Sequence, residues 1–136
     1  IRSTVMAEHA DHPIRVVIAD DHHIWRSGLR VDLGDGFEVV GVASTGGQAL
    51  AMVKDKRPDL VLLDMLMPNM DGYEATQAIR AAGGAWKTLP IIALTARAMK
   101  DDRDRCIAAG ATDYMTKPVD IPQLVAKIRA RLDNAT

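Results

Sequence analysis

The stretch from Leu60 to Asp64 constrains the fold more than any other part of the sequence. It reads LVLLD, a run of apolar residues that ends on a carboxylate. A short apolar run without polar alternation is typical of a strand buried on both faces of a parallel sheet. The following residues include Pro68 and Gly72, which is typical of a loop. We therefore predict that Asp64 lies at the carboxyl end of a core strand, the edge at which open α/β sheets bind ligands.

Length and composition indicate one ordinary folded domain. The chain has 136 residues, of which 48% are apolar and 26% are charged, a balance close to that of average globular domains. The formal net charge is -1, so there is no electrostatic case for direct binding of nucleic acid or of an anionic membrane by this chain.

The cysteine content and the N-terminal sequence indicate the cellular compartment of the chain. Cys106 is the single cysteine, which excludes an intrachain disulfide framework and favours a reducing environment. No apolar run approaches the ~18 residues of a membrane span, and the N-terminus lacks the apolar core of a signal peptide. We expect a cytoplasmic chain in which residues 1–13 are a flexible leader, a linker or a cloning remnant.

Strand-like and helix-like segments alternate from residue 14 onward, as in βα units that form a parallel sheet with helices on both faces. Strands are predicted at 14–19, 37–43, 60–64, 91–95 and 113–116, and helices at about 24–33, 48–56, 72–82, 101–109 and from 121. The predicted architecture is a doubly wound (βα)5 domain spanning residues 14–133, followed by a short tail at 134–136.

Several residues predict where helices stop and which face they bury. Pro58 ends the second helix, because the residue before a proline disfavours helical geometry. On the third helix, Ala75, Ile79 and Ala82 are predicted to point inward. Asp120 is a predicted N-cap. The last helix has one apolar face, formed by Ile121, Leu124, Val125, Ile128 and Leu132.

Polar side chains follow four of the predicted strands, at Asp20-Asp21, Asp64, Thr95 and Lys117. Parallel strands of one sheet end at the same edge, so these side chains are expected to share one crevice. Two carboxylates ~5 Å apart repel by roughly 3 kcal/mol at an effective dielectric near 20, so three of them need a cation or altered protonation. An oxygen-rich acidic cluster of this kind suits Mg²⁺.

The same groups suit phosphoryl transfer. Mg²⁺ and Lys117 would balance the three carboxylates, and the Thr95 hydroxyl could help to hold phosphoryl oxygens. Phosphoryl transfer depends mainly on positioning and charge stabilisation, and a carboxylate can be the nucleophile. Asp64 is the best-placed candidate.

Taken together, these motifs resemble the receiver domain of response regulators in two-component signalling. The matching segments span residues 14 to 133 and are VVIADDH (16–22), LLDMLMPNMDG (62–72), ALTA (93–96), AAGATDYMTKP (108–118) and the closing amphipathic helix. The resemblance implies a flavodoxin-like fold with strand order 2-1-3-4-5. It also implies a signalling domain rather than an enzyme.

The resemblance assigns a role to each residue of the crevice. Asp64 would be the phosphoacceptor. The Mg²⁺ ligands would be Asp21, Asp64 and the backbone carbonyl of Leu66, with Asp20 completing the acidic pair. Lys117 would bind the phosphoryl group and precede a cis peptide at Pro118. The remaining implied roles are those of a switch hydroxyl, Thr95, and a switch aromatic, Tyr114.

The resemblance also implies partners and a signalling surface. The phosphoryl donor would be a histidine kinase or a histidine phosphotransfer domain. The surface that changes would be formed by the helix at 101–109, the strand at 113–116 and the closing helix. The chain is expected to be a monomer or a weak, phosphorylation-dependent dimer.

The sequence does not determine which kind of larger protein contains such a receiver. DDH at 20–22 with RSGLR at 26–30 resembles receivers attached to helix-turn-helix DNA-binding domains. Residues 73–119 resemble receivers of hybrid histidine kinases, and this longer match is favoured. The chain could also be a stand-alone receiver.

Two other classes of protein fit the sequence less well. A haloacid dehalogenase-like phosphotransferase also uses a strand-end Asp with Mg²⁺, but it needs a second Asp two residues later, where this chain has Leu66. A binding module on the same scaffold is also disfavoured. A flavin protein is disfavoured because aromatic residues make up only 4% of the chain, and a degenerate receiver that signals without phosphorylation is disfavoured because Asp20, Asp21, Asp64, Thr95 and Lys117 are all present.

Overall fold

We describe the protein from a computed structural model, which describes residues 13–20, 36–66, 70–96, 100–117 and 119–133. The strands are β1 (Ile14–Ala19), β2 (Phe37–Ala43), β3 (Leu60–Asp64), β4 (Ile91–Thr95) and β5 (Asp113–Thr116). The helices in these ranges are α1 (Gly46–Lys56), α2 (Gly72–Ala81), α3 (Lys100–Ala109) and α4 (Ile121–Asp133), with a short 3-10 helix at Gly84–Lys87. The helix predicted at 24–33 lies outside the described residues.

The strands form one five-stranded sheet in the order β2-β1-β3-β4-β5. All four pairings are parallel. The predicted fold class and strand order are confirmed, and the bounds of all five strands are those expected from the sequence. The boundaries of the domain at 14 and 133 stay a prediction.

Both faces of the sheet are covered, which explains the apolar runs. On one face, Val61 and Leu63 pack in a cluster with residues of α1, α2 and α3, among them Ile79 and Cys106. On the other face, Leu60 and Leu62 pack with the apolar face of α4. Every residue of β3 is buried, so this strand is held rigidly up to its last residue, Asp64.

Helix ends follow local chemistry. Helix α3 begins at Lys100 rather than at the predicted residue 101, and two further predictions need correction. The first concerns α1, which begins at Gly46 rather than Gln48, because the Thr45 hydroxyl accepts a hydrogen bond from the backbone N–H of Gln48 at 3.2 Å. The second concerns the predicted inward position of Ala82, which is wrong. Helix α2 ends at Ala81, and Ala82 is exposed, while Thr76 is the buried polar residue of that helix.

The other predicted packing features are confirmed. Ala75 and Ile79 are fully buried. Asp120 accepts a hydrogen bond from the backbone N–H of Gln123 at 3.3 Å, as an N-cap should. Leu124 and Ile128 of α4 are fully buried. No helix in the described ranges is both long enough and apolar enough to span a bilayer.

Candidate functional site

The carboxyl edge of the sheet brings together four of the residues singled out in the sequence. Asp20 directly follows β1 and Lys117 directly follows β5, while Asp64 and Thr95 are the last residues of β3 and β4. The backbone N–H of Lys117 donates to the carbonyl oxygen of Thr95 at 2.8 Å. Three of these residues, Asp20, Asp64 and Thr95, are buried. The sheet therefore fixes two carboxylates, a hydroxyl and an ammonium at adjacent strand ends.

Lys117 bridges the two carboxylates. Its Nζ lies 2.5 Å from Oδ2 of Asp20 and 3.3 Å from Oδ2 of Asp64. The Lys117 side chain is 20% exposed, and that of Asp20 is fully buried. Burial removes much of the screening by water, so the ammonium compensates both anions strongly.

The ionisation of Asp64 reflects several opposing contributions. Burial raises the pKa of its carboxyl above the usual value, and the charge of Asp20 raises it further. The backbone N–H of Leu66, which donates to Oδ1 of Asp64 at 3.1 Å, and the ammonium of Lys117 lower the pKa. The net direction is upward. Additional positive charge at this site would favour the ionised, nucleophilic form.

Gly72 packs against the backbone that carries Asp64. A Cβ at Gly72 would collide with the carbonyl oxygen of Asp64 and would lie 2.6 Å from the Cα of Met65. The N–H of Gly72 donates to the carbonyl oxygen of Met65 at 3.2 Å. The absence of a side chain at Gly72 thus allows the first turn of α2 to press on the end of β3. Asp71 caps this turn through the N–H of Glu74, at 2.9 Å.

A cavity of about 180 Å³ lies beside the strand ends. One wall comes from the residues that follow β3 and end β4, and the other comes from α2 and α3. Its lining residues are Met65, Leu66, Tyr73, Thr95, Ala96, Asp102 and Arg105. The cavity therefore connects the surroundings of Asp64 with the gap between α2 and α3.

Side chains of α2 and α3 meet at the far side of this cavity. The guanidinium carbon of Arg105 lies 3.9 Å from the centroid of the Tyr73 ring. Cys106 is fully buried, and its side chain hydrogen-bonds that of Tyr73. Burial raises the pKa of the Cys106 thiol, so the thiol packs as a small buried apolar group.

The predicted metal ligands are partly within the described residues. Asp20 and Asp64 share the site, Leu66 is next to it, and Asp21 lies outside the described residues. Within the described ranges, no group of three metal-binding side chains occurs. The carboxylate oxygens of Asp20 and Asp64, with the nearby backbone carbonyl of Leu66, are the donor type that Mg²⁺ prefers. The residues present thus fit this metal.

Two further predicted features are at or near the edge. Tyr114 is half-buried and packs against the core cluster that contains Ala93, its partner in the register of β4 with β5. Pro118, and with it the predicted cis peptide, lies outside the described residues, as do residues 1–12 of the leader predicted at 1–13.

Comparison with known proteins identifies the family. Residues 16–129 match the response regulator receiver domain. The response regulator MprA of Mycolicibacterium vanbaalenii is 38% identical over 124 residues, which cover 91% of this chain and 52% of the relative. The chain thus spans about half the length of that curated relative. It belongs to the response regulator receiver domain family, and is a signalling domain of two-component systems.

Solved structures agree with this assignment. A putative response regulator from Chloroflexus aurantiacus matches with a TM-score of 0.82 and 34% identity, covering 88% of this chain and 98% of that one. The receiver domain of the sensor histidine kinase PA1611 from Pseudomonas aeruginosa matches with a TM-score of 0.79 and 31% identity, over 88% of this chain and 98% of that one. That receiver was solved with a magnesium ion coordinated in its active-site cleft.

Sequence reasoning missed several residues of the site. Ala96, Asp102 and Arg105 line the cavity, but nothing in their local pattern distinguishes them from loop and surface residues. The close packing of Gly72 could have been predicted, since a glycine directly after the capping residue Asp71 can indicate that another segment approaches the backbone closely.

Proposed function

We propose that this receiver accepts a phosphoryl group on Asp64 and changes its signalling surface in response. The observation that carries the proposal is the position of Lys117, whose Nζ lies 3.3 Å from Oδ2 of Asp64 and 2.5 Å from Oδ2 of Asp20. A buried carboxylate beside a fixed ammonium, on the last residue of a rigid strand, suits a nucleophile that must also retain a charged product.

The proposed reaction is an in-line displacement at phosphorus. An oxygen of the Asp64 carboxylate forms a bond to phosphorus, and the bond between phosphorus and the donor histidine nitrogen breaks, with its electron pair left on that nitrogen. Lys117, the Thr95 hydroxyl and the backbone N–H of Leu66 would hold the phosphoryl oxygens. When bound, Mg²⁺ would neutralise phosphoryl charge, with Asp20, Asp21, Asp64 and the carbonyl of Leu66 holding it.

The proposed response runs from Thr95 to the surface. Attraction of the Thr95 hydroxyl to the phosphoryl group would favour an inward position of Tyr114, which is half-buried in this structure. The phosphoryl group would thereby shift an existing equilibrium between two arrangements of α3, β5 and α4. Monomers or weak, phosphorylation-dependent dimers would present that surface to partners.

The proposed donor is a histidine kinase or a histidine phosphotransfer domain, acting in the cytoplasm. We favour a hybrid histidine kinase as the parent protein, because residues 73–119 have the longer resemblance to such receivers. The 31% identity to the receiver of a sensor histidine kinase supports this context. The 38% identity to a response regulator supports the alternative, a receiver joined to an output domain.

Intact mass spectrometry tests the acceptor function. The protein is incubated with a small phosphodonor and Mg²⁺, and in parallel with a chelator in place of the metal. We expect the mass of one phosphoryl group to be added only with Mg²⁺, and Asp64→Asn to abolish the gain. Asp71→Asn is the matched control, because Asp71 caps α2 and should leave the gain intact.

Rapid hydrolysis could hide a phosphorylated product. A second readout is therefore the binding of beryllofluoride, which is monitored by the amide chemical shifts of Thr95 and Tyr114. Absence of both the mass gain and the shifts would overturn the proposal.

A further inference from the structure

We propose that Arg105 is a specificity-determining residue among small-molecule phosphodonors, favouring acyl phosphates by stabilising the carboxylate that leaves. This inference rests on the proposed phosphorylation of Asp64. It goes further by assigning a donor class to the cavity between α2 and α3, a part of the molecule that the acceptor role does not require.

Arg105 is exposed and borders the same open cavity as Leu66 and Thr95. Leu66 and Thr95 line one side of the cavity, and Tyr73 and Arg105 line the other. The N–H of Leu66 already donates to Oδ1 of Asp64 at 3.1 Å. A donor whose phosphoryl group sits near Leu66 and Thr95 therefore has its remaining atoms within a space of about 180 Å³ that Arg105 borders.

The guanidinium of Arg105 is held by an aromatic face. Its Cζ lies 3.9 Å from the ring centroid of Tyr73, a cation–π contact that restrains the position of the charge. Arg103, two residues earlier on α3, instead pairs with its neighbour Asp104 at 4.0 Å and does not line the cavity. The two arginines thus differ in surroundings but not in charge.

The charge on the donor's leaving group determines whether the cation of Arg105 affects the rate of phosphoryl transfer. In transfer from an acyl phosphate, the Asp64 oxygen bonds to phosphorus as the bond from phosphorus to the acyl oxygen breaks, and the electron pair stays on the departing carboxylate. Negative charge therefore grows on the leaving group, where Arg105 can stabilise it. In transfer from phosphoramidate, the departing group is ammonia, which carries no negative charge.

Asp102 tests whether Arg105 acts through its charge, because the charge of Asp102 has the opposite sign. It also lines the cavity, and its carboxylate repels a departing carboxylate, the opposite of the effect of Arg105. If Arg105 acts through charge, neutralising Asp102 should have the reverse effect on the same donor. A structural role of Arg105 in packing α3 against α2 would not produce this reversal.

The experiment compares the second-order rate constants for phosphorylation by acetyl phosphate and by phosphoramidate, read by intact mass on the whole chain with Mg²⁺. For Arg105→Gln we expect the acetyl phosphate rate to fall about fivefold, as for loss of one partly screened charge interaction, with the phosphoramidate rate nearly unchanged. Arg105→Lys should retain most of the acetyl phosphate rate. Arg103→Gln is the matched control and should leave both rates as in the parent protein.

Asp102→Asn should raise the acetyl phosphate rate selectively, and high salt should shrink both effects. Equal losses with both donors in Arg105→Gln, or no loss with either, would overturn the assignment of Arg105 while leaving Asp64 as the acceptor. Failure of the parent protein to gain mass with either donor, together with no beryllofluoride response, would instead count against the proposed function itself.

Discussion

The ammonium of Lys117 lies 2.5 Å from Oδ2 of Asp20, closer than to the carboxylate that we propose as the phosphoacceptor. Without a phosphoryl group, Lys117 therefore acts mainly as a counter-ion of the buried acidic residue next to it. A metal ion that uses Asp20 and Asp64 must share those carboxylates with the ammonium, and two cations in one small site repel each other.

Removal of the Lys117 charge should strengthen metal binding. In Lys117→Met we expect the Mg²⁺ dissociation constant to fall several-fold, because a competing cation is lost beside Asp20. Titration calorimetry measures this directly, with Lys127→Met as the control, since Lys127 pairs with Asp113 instead, at 3.2 Å. Weaker Mg²⁺ binding in Lys117→Met would contradict the competition.

The same lysine should be needed for phosphorylation. Lys117→Met should slow transfer from a small phosphodonor about a hundredfold, as for loss of one fixed donor to a developing anion. Lys117→Arg keeps the charge but replaces a compact ammonium with a planar fork, so we expect an intermediate rate and weakened switching. Time courses of mass gain give the rates, and a normal rate and normal switching in Lys117→Arg would refute the role given to Lys117.

Gly72→Ala should damage both the fold and the site. The added Cβ would lie 2.6 Å from the Cα of Met65, so backbone must move, at a cost of about 3 kcal/mol. Gly47→Ala is the matched control, since the nearest atom to its Cβ would be Oγ1 of Thr45 at 4.0 Å, and it should be neutral or stabilise by up to about 1 kcal/mol. Urea unfolding compares the two, and equal stability of both variants would contradict the close packing at Gly72.

Arg80 should be important for stability although it is far from the proposed chemistry. Its guanidinium donates to the carbonyl oxygens of Gly110 at 2.9 Å, Trp86 at 2.8 Å and Leu89 at 2.7 Å, joining α2 to two loops. Arg80→Met leaves these carbonyls without that donor and should cost about 2 to 4 kcal/mol of unfolding free energy. Arg103→Met, at an exposed position, should cost less than about 0.5 kcal/mol; similar costs for both would refute the role of Arg80.

Asp113 should make stability depend on pH. Burial alone would raise the pKa of its carboxyl, but hydrogen bonds from the N–H of Tyr114 and from Lys127 and Arg131 bring it below the ordinary value of 3.8. A lowered pKa in the folded state means that this stabilisation is present above pH 3.8 and is lost as the pH falls through the folded-state pKa.

Asp113→Asn should therefore cost about 1 kcal/mol near pH 7, a modest value because Lys127 and Arg131 are 36% and 38% exposed and solvent screens them. The difference from the parent protein should shrink as the pH falls below about 4. Thermal unfolding over a pH series measures it. The control is Asp104→Asn at an exposed position, and a pH-independent cost for Asp113→Asn would contradict the account.

The sheet and its edge could be predicted because their signals are local. An apolar run that ends on a polar residue marks both a buried strand and its exit, and this held for β1, β3 and β4. Parallel topology then implies which ends meet. The N-cap at Asp120 was equally local, since its own side chain makes the bond to Gln123.

What could not be predicted depends on packing between distant segments. The stronger pairing of Lys117 with Asp20 is set by side-chain reach across strand ends, which spacing along the chain does not encode. The exposure of Ala82 follows from the chain leaving α2 one residue early. The stacking of Arg105 on Tyr73 joins two helices whose relative placement the sequence pattern leaves open.

The most direct test of the central claim is the identity of the residue that carries the phosphoryl group. After incubation with a phosphodonor and Mg²⁺, borohydride reduction converts an aspartyl phosphate to homoserine, and peptide mapping then finds the position. We expect homoserine at position 64 and at no other aspartate. Homoserine at another position, or none although the protein has gained the mass of a phosphoryl group, would contradict Asp64 as the phosphoacceptor.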